Sequence, residues 1–160
     1  MSYDYSENIL VQESAGNLLR DELGWNVRFA YNTEILGKNG TFGRESYKEI
    51  ILLRYFREAL KKLNPWMNES QILEAQKLLE SRLSTSSLLQ INEEKYYLIR
   101  DGIPVTAKKP NGHAEIKRAA VIDFQKPKNN YFLAIKELKI YGDLYRRRTD
   151  IVGFVNGIPL

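Results

Sequence analysis

Apolar side chains at Ile9, Leu10, Ala15, Leu18, Leu19 and Leu23 recur at helical spacing. They predict a first helix capped by Ser6 and stopped by Gly24. Residues 25–31 then alternate and carry strand character, and three glycines in residues 37–43 predict a turn or exposed loop. Ile50, Ile51, Leu53, Leu60 and Leu63, with Tyr47 and Phe56, predict a long amphipathic helix over residues 45–63, ended by Asn64-Pro65. Asn68 or Ser70 caps the next helix, through about Leu83, and Ser86 or Ser87 caps another that ends at Asp101-Gly102. From there the period changes. Residues 103–107, 115–124, 131–141 and 150–155 are rich in Val, Ile, Tyr and Phe between Pro/Gly/Asn/Lys punctuation, and predict strands.

Together these elements predict an α/β (α+β) fold, with a helical segment around residues 44–100 before the main sheet. Asn156-Gly157 is a strong two-residue hairpin signal, and Ile158-Pro159-Leu160 starts a returning strand. A returning strand this short leaves an apolar edge. The expectation is therefore one domain over residues 1–160 that is C-terminally incomplete.

Composition narrows the chemistry. The chain has 160 residues, 43% hydrophobic and 28% charged, ordinary for a globular domain. No apolar run reaches the roughly 18 residues that span a membrane, and the acidic N-terminus is not a signal peptide, so no membrane association and a cytoplasmic location are expected. Without cysteine there is no disulfide, thiolate metal site or cysteine nucleophile. With His113 as the only histidine, a multi-histidine zinc site is impossible and a Ser-His-Asp triad would have to use it. The net charge of +4 permits a polyanionic partner without demanding one. The cations gather late, at Lys108-Lys109, Lys117-Arg118, Lys126 and Lys128, and Arg146-Arg147-Arg148.

Metal-dependent nucleases place carboxylates around Mg²⁺ with a lysine near the attacking water. The usual form is an aspartate at a strand start, then Glu-x-Lys on the next strand, where alternation turns Glu and Lys to one face. Asp150 opens a strand that leads through Asn156-Gly157 into a second, so its Glu-x-Lys would fall a few residues beyond Leu160. Asp123 with Glu137-Leu138-Lys139, and Asp101 with Glu115-Ile116-Lys117, fit the spacing inside the chain. Such loose spacing also arises by chance among ordinary surface charges. Gly37-Lys38-Asn39-Gly40 through Gly43-Arg44 lacks the phosphate-loop pattern and reads as a plain loop. Trp25, Trp66 and the Tyr96-Tyr97 pair read as core packing.

The final residues, Arg147-Arg148-Thr149-Asp150-Ile151-Val152-Gly153-Phe154-Val155-Asn156-Gly157-Ile158-Pro159-Leu160, resemble the nuclease strand-turn-strand of type I restriction enzyme R subunits. Leu23-Gly24-Trp25, Phe42-Gly43-Arg44-Glu45-Ser46, Ala59-Leu60-Lys61-Lys62-Leu63-Asn64-Pro65, Ile122-Asp123-Phe124 and Asn129-Asn130-Tyr131-Phe132 resemble further segments of that family, in the same order. Thr149 stands where the family pattern has proline.

The resemblance implies a PD-(D/E)xK nuclease fold, a mixed sheet flanked by helices, and Mg²⁺-dependent cleavage of unmodified DNA. It makes Asp150 the catalytic, metal-binding aspartate. It makes Glu7 of the first helix the second acidic residue, with Glu13 as the alternative, and it makes Glu137-Leu138-Lys139 incidental. Arg146, Arg147 and Arg148 hold the DNA backbone, or one of them pairs with a carboxylate. ATP-driven translocation belongs to domains further on, and the partners are DNA and the methyltransferase and specificity subunits. Without Glu-x-Lys, residues 1–160 alone are expected to bind Mg²⁺ weakly and to cut DNA poorly or not at all. Two alternatives stand beside this: a stand-alone nuclease built on Asp123, Glu137 and Lys139, and a non-catalytic DNA-binding or subunit-docking module.

Overall fold

The computed structural model describes residues 7–81 and 87–160, with the backbone alone for residues 7–9. In chain order the elements are α1 (Glu7–Asp21), β1 (Asn26–Phe29), α2 (Leu53–Leu63), α3 (Glu69–Glu80), α4 (Leu88–Asp101), β2 (Ile103–Lys108), β3 (Ala114–Ala119), β4 (Phe132–Lys136), β5 (Lys139–Tyr141), β6 (Arg146–Arg148), β7 (Ile151–Val155) and β8 (Ile158–Pro159). This is the expected α+β class. The chain divides into two compact units, one of Met1–Arg54 with Tyr131–Leu160 and one of Tyr55–Asn130.

The first unit holds a mixed four-stranded sheet in the order β1-β4-β7-β8. β1 runs parallel to β4, while β4–β7 and β7–β8 are antiparallel. Helix α1 lies against β1 and β4. Gly16 is buried at this contact, where a Cβ would lie at ordinary van der Waals distance, 3.5 Å, from the Lys136 side chain. The backbone N–H groups of Gly24 and Trp25 close the helix end on the carbonyls of Arg20 and Leu19, with Gly24 at φ +69°, so the predicted glycine stop is observed. The Ser6 cap lies outside the described residues. Leu133, Ile135 and Phe154 share one sheet face and are fully buried, each contributing about 1.5–3 kcal/mol. Trp25 is half-buried, its ring 5.1 Å from that of Phe132 and close over Gly153.

Asn156 (φ 52°) and Gly157 (φ 80°) are both left-handed, as a two-residue turn between β7 and β8 requires. Asn156 is itself buried. Its side-chain oxygen accepts from Tyr131 N–H at 2.8 Å, and its N–H donates to Tyr131 O at 2.9 Å.

The predicted helix over residues 45–63 begins only at Leu53. The backbone groups before it bond to distant partners and leave no helical ladder. Arg44 O accepts from Gly37 N–H, Tyr47 O from Tyr141 N–H, and Leu52 N–H donates to Gly157 O. The predicted strand over 131–141 is likewise two strands, because Glu137 takes φ 59° and ends β4. β6 was not foreseen. It pairs antiparallel with β5, Tyr141 opposite Arg146 and Lys139 opposite Arg148, in a small separate sheet.

In the second unit β2 and β3 form a hairpin of their own, outside the four-stranded sheet, against which α3 packs. Ile72, Ala75, Leu79, Ile103, Val105 and Ala107 are buried there. Asn68 closes a capping box with Gln71 at the start of α3, and Ser87 closes one with Gln90 at the start of α4. Leu83 and Ser86 lie outside the described residues, and α3 already ends at Glu80. The strand expected to reach Phe124 stops at Ala119, because the Asn64 amide holds both the N–H and the C=O of Ala120. Two packing expectations fail. Trp66 is 38% exposed, and Tyr96 and Tyr97 are exposed on α4, which buries none of its side chains, with Arg100 stacked against both rings.

Candidate active site

Asp150 stands at the corner where β6 passes into β7. Both sides of its backbone are fixed. Asp150 O accepts from Glu137 N–H at 3.0 Å, and Thr149 donates both its N–H (3.0 Å) and its hydroxyl (3.2 Å) to Leu138 O. The αL bend at Glu137 makes this corner, since it ends β4 directly opposite Asp150. The carboxylate is exposed, and Gln12 Nε2 of α1 donates to Oδ1 at 2.8 Å. The described side chains thus hold one carboxylate oxygen and leave the carboxylate open to solvent.

Gln12 was not singled out from the sequence. It shares a helix face with Gly16 and Leu19, spaced by four and seven residues, and that face packs on the sheet. Glu13 lies about 100° around the helix from Gln12 and is exposed. Glu7 opens α1, and its side chain lies outside the described residues.

The three arginines, all exposed, differ in their partners. Arg148 is tied inward, 3.1 Å from Glu137 and stacked 4.7 Å from the Tyr31 ring centre. One of the three therefore does pair with a carboxylate, and that carboxylate belongs to the residue bonded to Asp150 O. Arg146 stacks on Tyr141 at 5.0 Å and Arg147 on Tyr145 at 5.5 Å, both on a fully exposed strand.

Neither internal aspartate gathers a site. Asp123 uses Oδ1 for the N–H groups of Gln125 and Lys126 and Oδ2 for the Asn129 amide. Those bonds, the Asn129 one foremost, hold its carboxyl below the usual range. Glu137 and Lys139 are separated by the αL bend and do not share a strand face. Lys139 Nζ sits over the Tyr31 and Tyr47 rings at 5.1 and 5.8 Å. Asp101 pairs with Arg100 at 2.6 Å, which lowers its carboxyl pKa. Glu115 is opposite Ala107, about 13 Å along β2 from Ile103, the strand's first residue after Asp101-Gly102, so Asp101 and Glu115 lie at opposite ends of the hairpin. The glycine loop is structural. Arg54 donates into it at Gly40 O, and a Cβ on Gly43 would lie 2.7 Å from that guanidinium.

Among the described residues the donors at Asp150 are a carboxylate and an amide, oxygen ligands of the kind a hard divalent cation takes. Among the described residues, however, no three Asp, Glu, His or Cys side chains converge. One exposed carboxylate with a neighbouring amide is fewer oxygen donors than a hard divalent cation takes. None of the described helices is long and apolar enough to cross a membrane.

Over residues 4–160 the chain matches the family described as type I restriction enzyme R protein N terminus. It is 34% identical over 139 residues to the type I restriction enzyme HindI endonuclease subunit of Haemophilus influenzae, covering 86% of this chain and 13% of that protein. It is 30% identical over 120 residues to the putative type I restriction enzyme MjaIXP endonuclease subunit of Methanocaldococcus jannaschii, covering 73% of this chain and 11% of that one. The chain therefore spans only a small fraction of the length of these relatives.

Proposed function

Because the chain belongs to the family of type I restriction enzyme R protein N-termini, we propose that its sheet-bearing unit is the DNA-cleaving part of such an R subunit, using Mg²⁺ at Asp150. The observation that carries this reading is the Asp150 corner. An exposed carboxylate opens a strand of a mixed sheet, its backbone fixed on both sides and one oxygen held by a helix that packs on that sheet. This is the strand-start aspartate of a PD-(D/E)xK nuclease.

Asp150 would hold the cation through its carboxylate. Gln12 orients that carboxylate by donating to Oδ1. When bound, the cation supplies positive charge to the phosphate undergoing hydrolysis and lowers the pKa of a bound water. Arg146 and Arg147 hold the DNA backbone, and Arg148 steadies Glu137 and through it the strand corner. Glu7 remains the proposed acidic partner from α1, and a Glu-x-Lys pair on the strand paired with β7 would complete the set. ATP drives translocation through further domains, and methyltransferase and specificity subunits supply site recognition. With only part of a ligand set, residues 1–160 alone bind Mg²⁺ weakly and cut DNA poorly or not at all.

The test compares Asp150→Ala with Asp123→Ala in a full-length R subunit assembled with its partners. Loss of cleavage in the first and retention in the second is the expected result. The reverse pattern refutes the assignment.

A further inference from the structure

The β5–β6 hairpin has features that the corner at Asp150 does not explain. Its tip, residues 142–145, is closed by Gly142 N–H on Tyr145 O at 2.8 Å, and it presents Leu144 at 87% and Tyr145 at 66% exposure. Its strands carry Lys139, Arg146, Arg147 and Arg148; Glu137 answers Arg148 at 3.1 Å, and Asp143 at the tip lies 3.4 Å from Lys48.

The arm is braced from below. Arg44 is buried in a bidentate pair with Glu34 and lies 5.4 Å from the Tyr47 ring centre. Tyr47 packs on Tyr141 at 4.8 Å, and Tyr141 carries Arg146. A stacked guanidinium loses less side-chain freedom on binding a phosphate than a free one.

We propose that the β5–β6 hairpin is a duplex-DNA arm, with Arg146 and Arg147 on backbone phosphates and the Leu144-Tyr145 tip wedged at a base step in the minor groove. The arm rests on the DNA-processing role proposed above and assigns the contacts within it. Cations on both faces of an exposed ribbon with an apolar point fit a groove edged by phosphates, where leucine wedges unstack base steps. A single strand fits less well. It needs open aromatic faces for successive bases, and here Tyr31 and Tyr141 each already carry a guanidinium on one face. The arm also runs straight into the candidate site. Arg146 and Asp150 are four residues apart, at most about 14 Å of chain, so a phosphate held by Arg146 places the backbone near Asp150.

The experiment measures binding of the chain to a short duplex containing 2-aminopurine, by anisotropy and base fluorescence, in EDTA across a salt series. The double variant Arg146→Ala/Arg147→Ala reduces the slope of log K against log salt by about 1.8, at roughly 0.9 per phosphate contact. Leu144→Ser leaves that slope unchanged and removes the rise in 2-aminopurine fluorescence seen with the parent chain. These residues are solvent-exposed, and matched circular dichroism of parent and variants excludes misfolding. An unchanged slope in the double variant, no fluorescence rise with the parent chain, or tighter binding to the corresponding single strand overturns the proposal. Because no metal is present, the result is independent of whether Asp150 hydrolyses DNA. Cleavage by a full-length Asp150→Ala subunit would sink the nuclease reading and leave the arm standing.

Discussion

Replacing Arg44 with methionine tests how the first unit is held together. Arg44 is 1% exposed and its partner Glu34 has a side chain 3% exposed. The guanidinium donates to both Glu34 carboxylate oxygens at 2.6 and 2.7 Å, to Lys139 O at 2.8 Å and to Glu49 O at 3.2 Å. Arg44→Met keeps the volume but leaves a buried carboxylate without its counter-charge and two carbonyls without a donor. Removing one partner of a buried pair costs about 3–5 kcal/mol, a large share of the roughly 5–15 kcal/mol that stabilises a domain. At about 2–4 °C per kcal/mol for a chain of this size, the melting temperature falls by roughly 6–20 °C. Amide hydrogen exchange localises the loss, because protection falls in β4 and much less in β2. The second variant, Arg44→Met/Glu34→Met, removes the orphan charge and recovers most of the loss. A cost below about 1 kcal/mol, the range of a solvated surface pair, would refute the reasoning, as would a double variant no more stable than the single one.

Asn156→Ala takes the acceptor from the Tyr131 N–H and places a β-carbon residue other than Asn or Gly at φ 52°. The expected loss is about 1–3 kcal/mol, read from the urea midpoint. Gln12→Ala frees the Asp150 carboxylate, and in a full-length subunit the Mg²⁺ concentration for half-maximal cleavage rises ~10–100-fold while ATP turnover is unchanged. Asp123 has a depressed folded-state pKa, so its contribution is present above the unfolded value and is lost as pH falls through the folded one. Exchange protection of the Gln125 and Lys126 amides should therefore persist through the ordinary carboxyl range and fall only below it, and Asp123→Asn should remove that pH dependence.

The sequence was most legible where local chemistry decides the structure. Asn68 and Ser87 cap their helices through their side chains, Gly24 ends its helix by taking positive φ, and Asn156-Gly157 makes the turn its two left-handed residues favour. It was least legible where distant groups take over the backbone. Residues 45–52 have a helical pattern, yet Tyr47 O and Leu52 N–H bond to Tyr141 and Gly157. The β5–β6 hairpin was hidden because its strands are short and the arginines of β6 carry no alternation of polarity. At the candidate site, Asp150 could be singled out from its neighbours along the chain. Gln12 could not, because an amide in a first helix is ordinary and its role depends on a partner 138 residues away. The Arg148–Glu137 pair depends on an αL bend that no residue type at position 137 announces.

The most direct test of the central claim is plasmid cleavage by the assembled, full-length enzyme carrying Asp150→Ala, with ATP hydrolysis recorded in the same reaction. The account predicts that ATP turnover continues and no double-strand breaks form at any Mg²⁺ concentration. Cleavage at the parent rate would contradict it and remove Asp150 from the nuclease site.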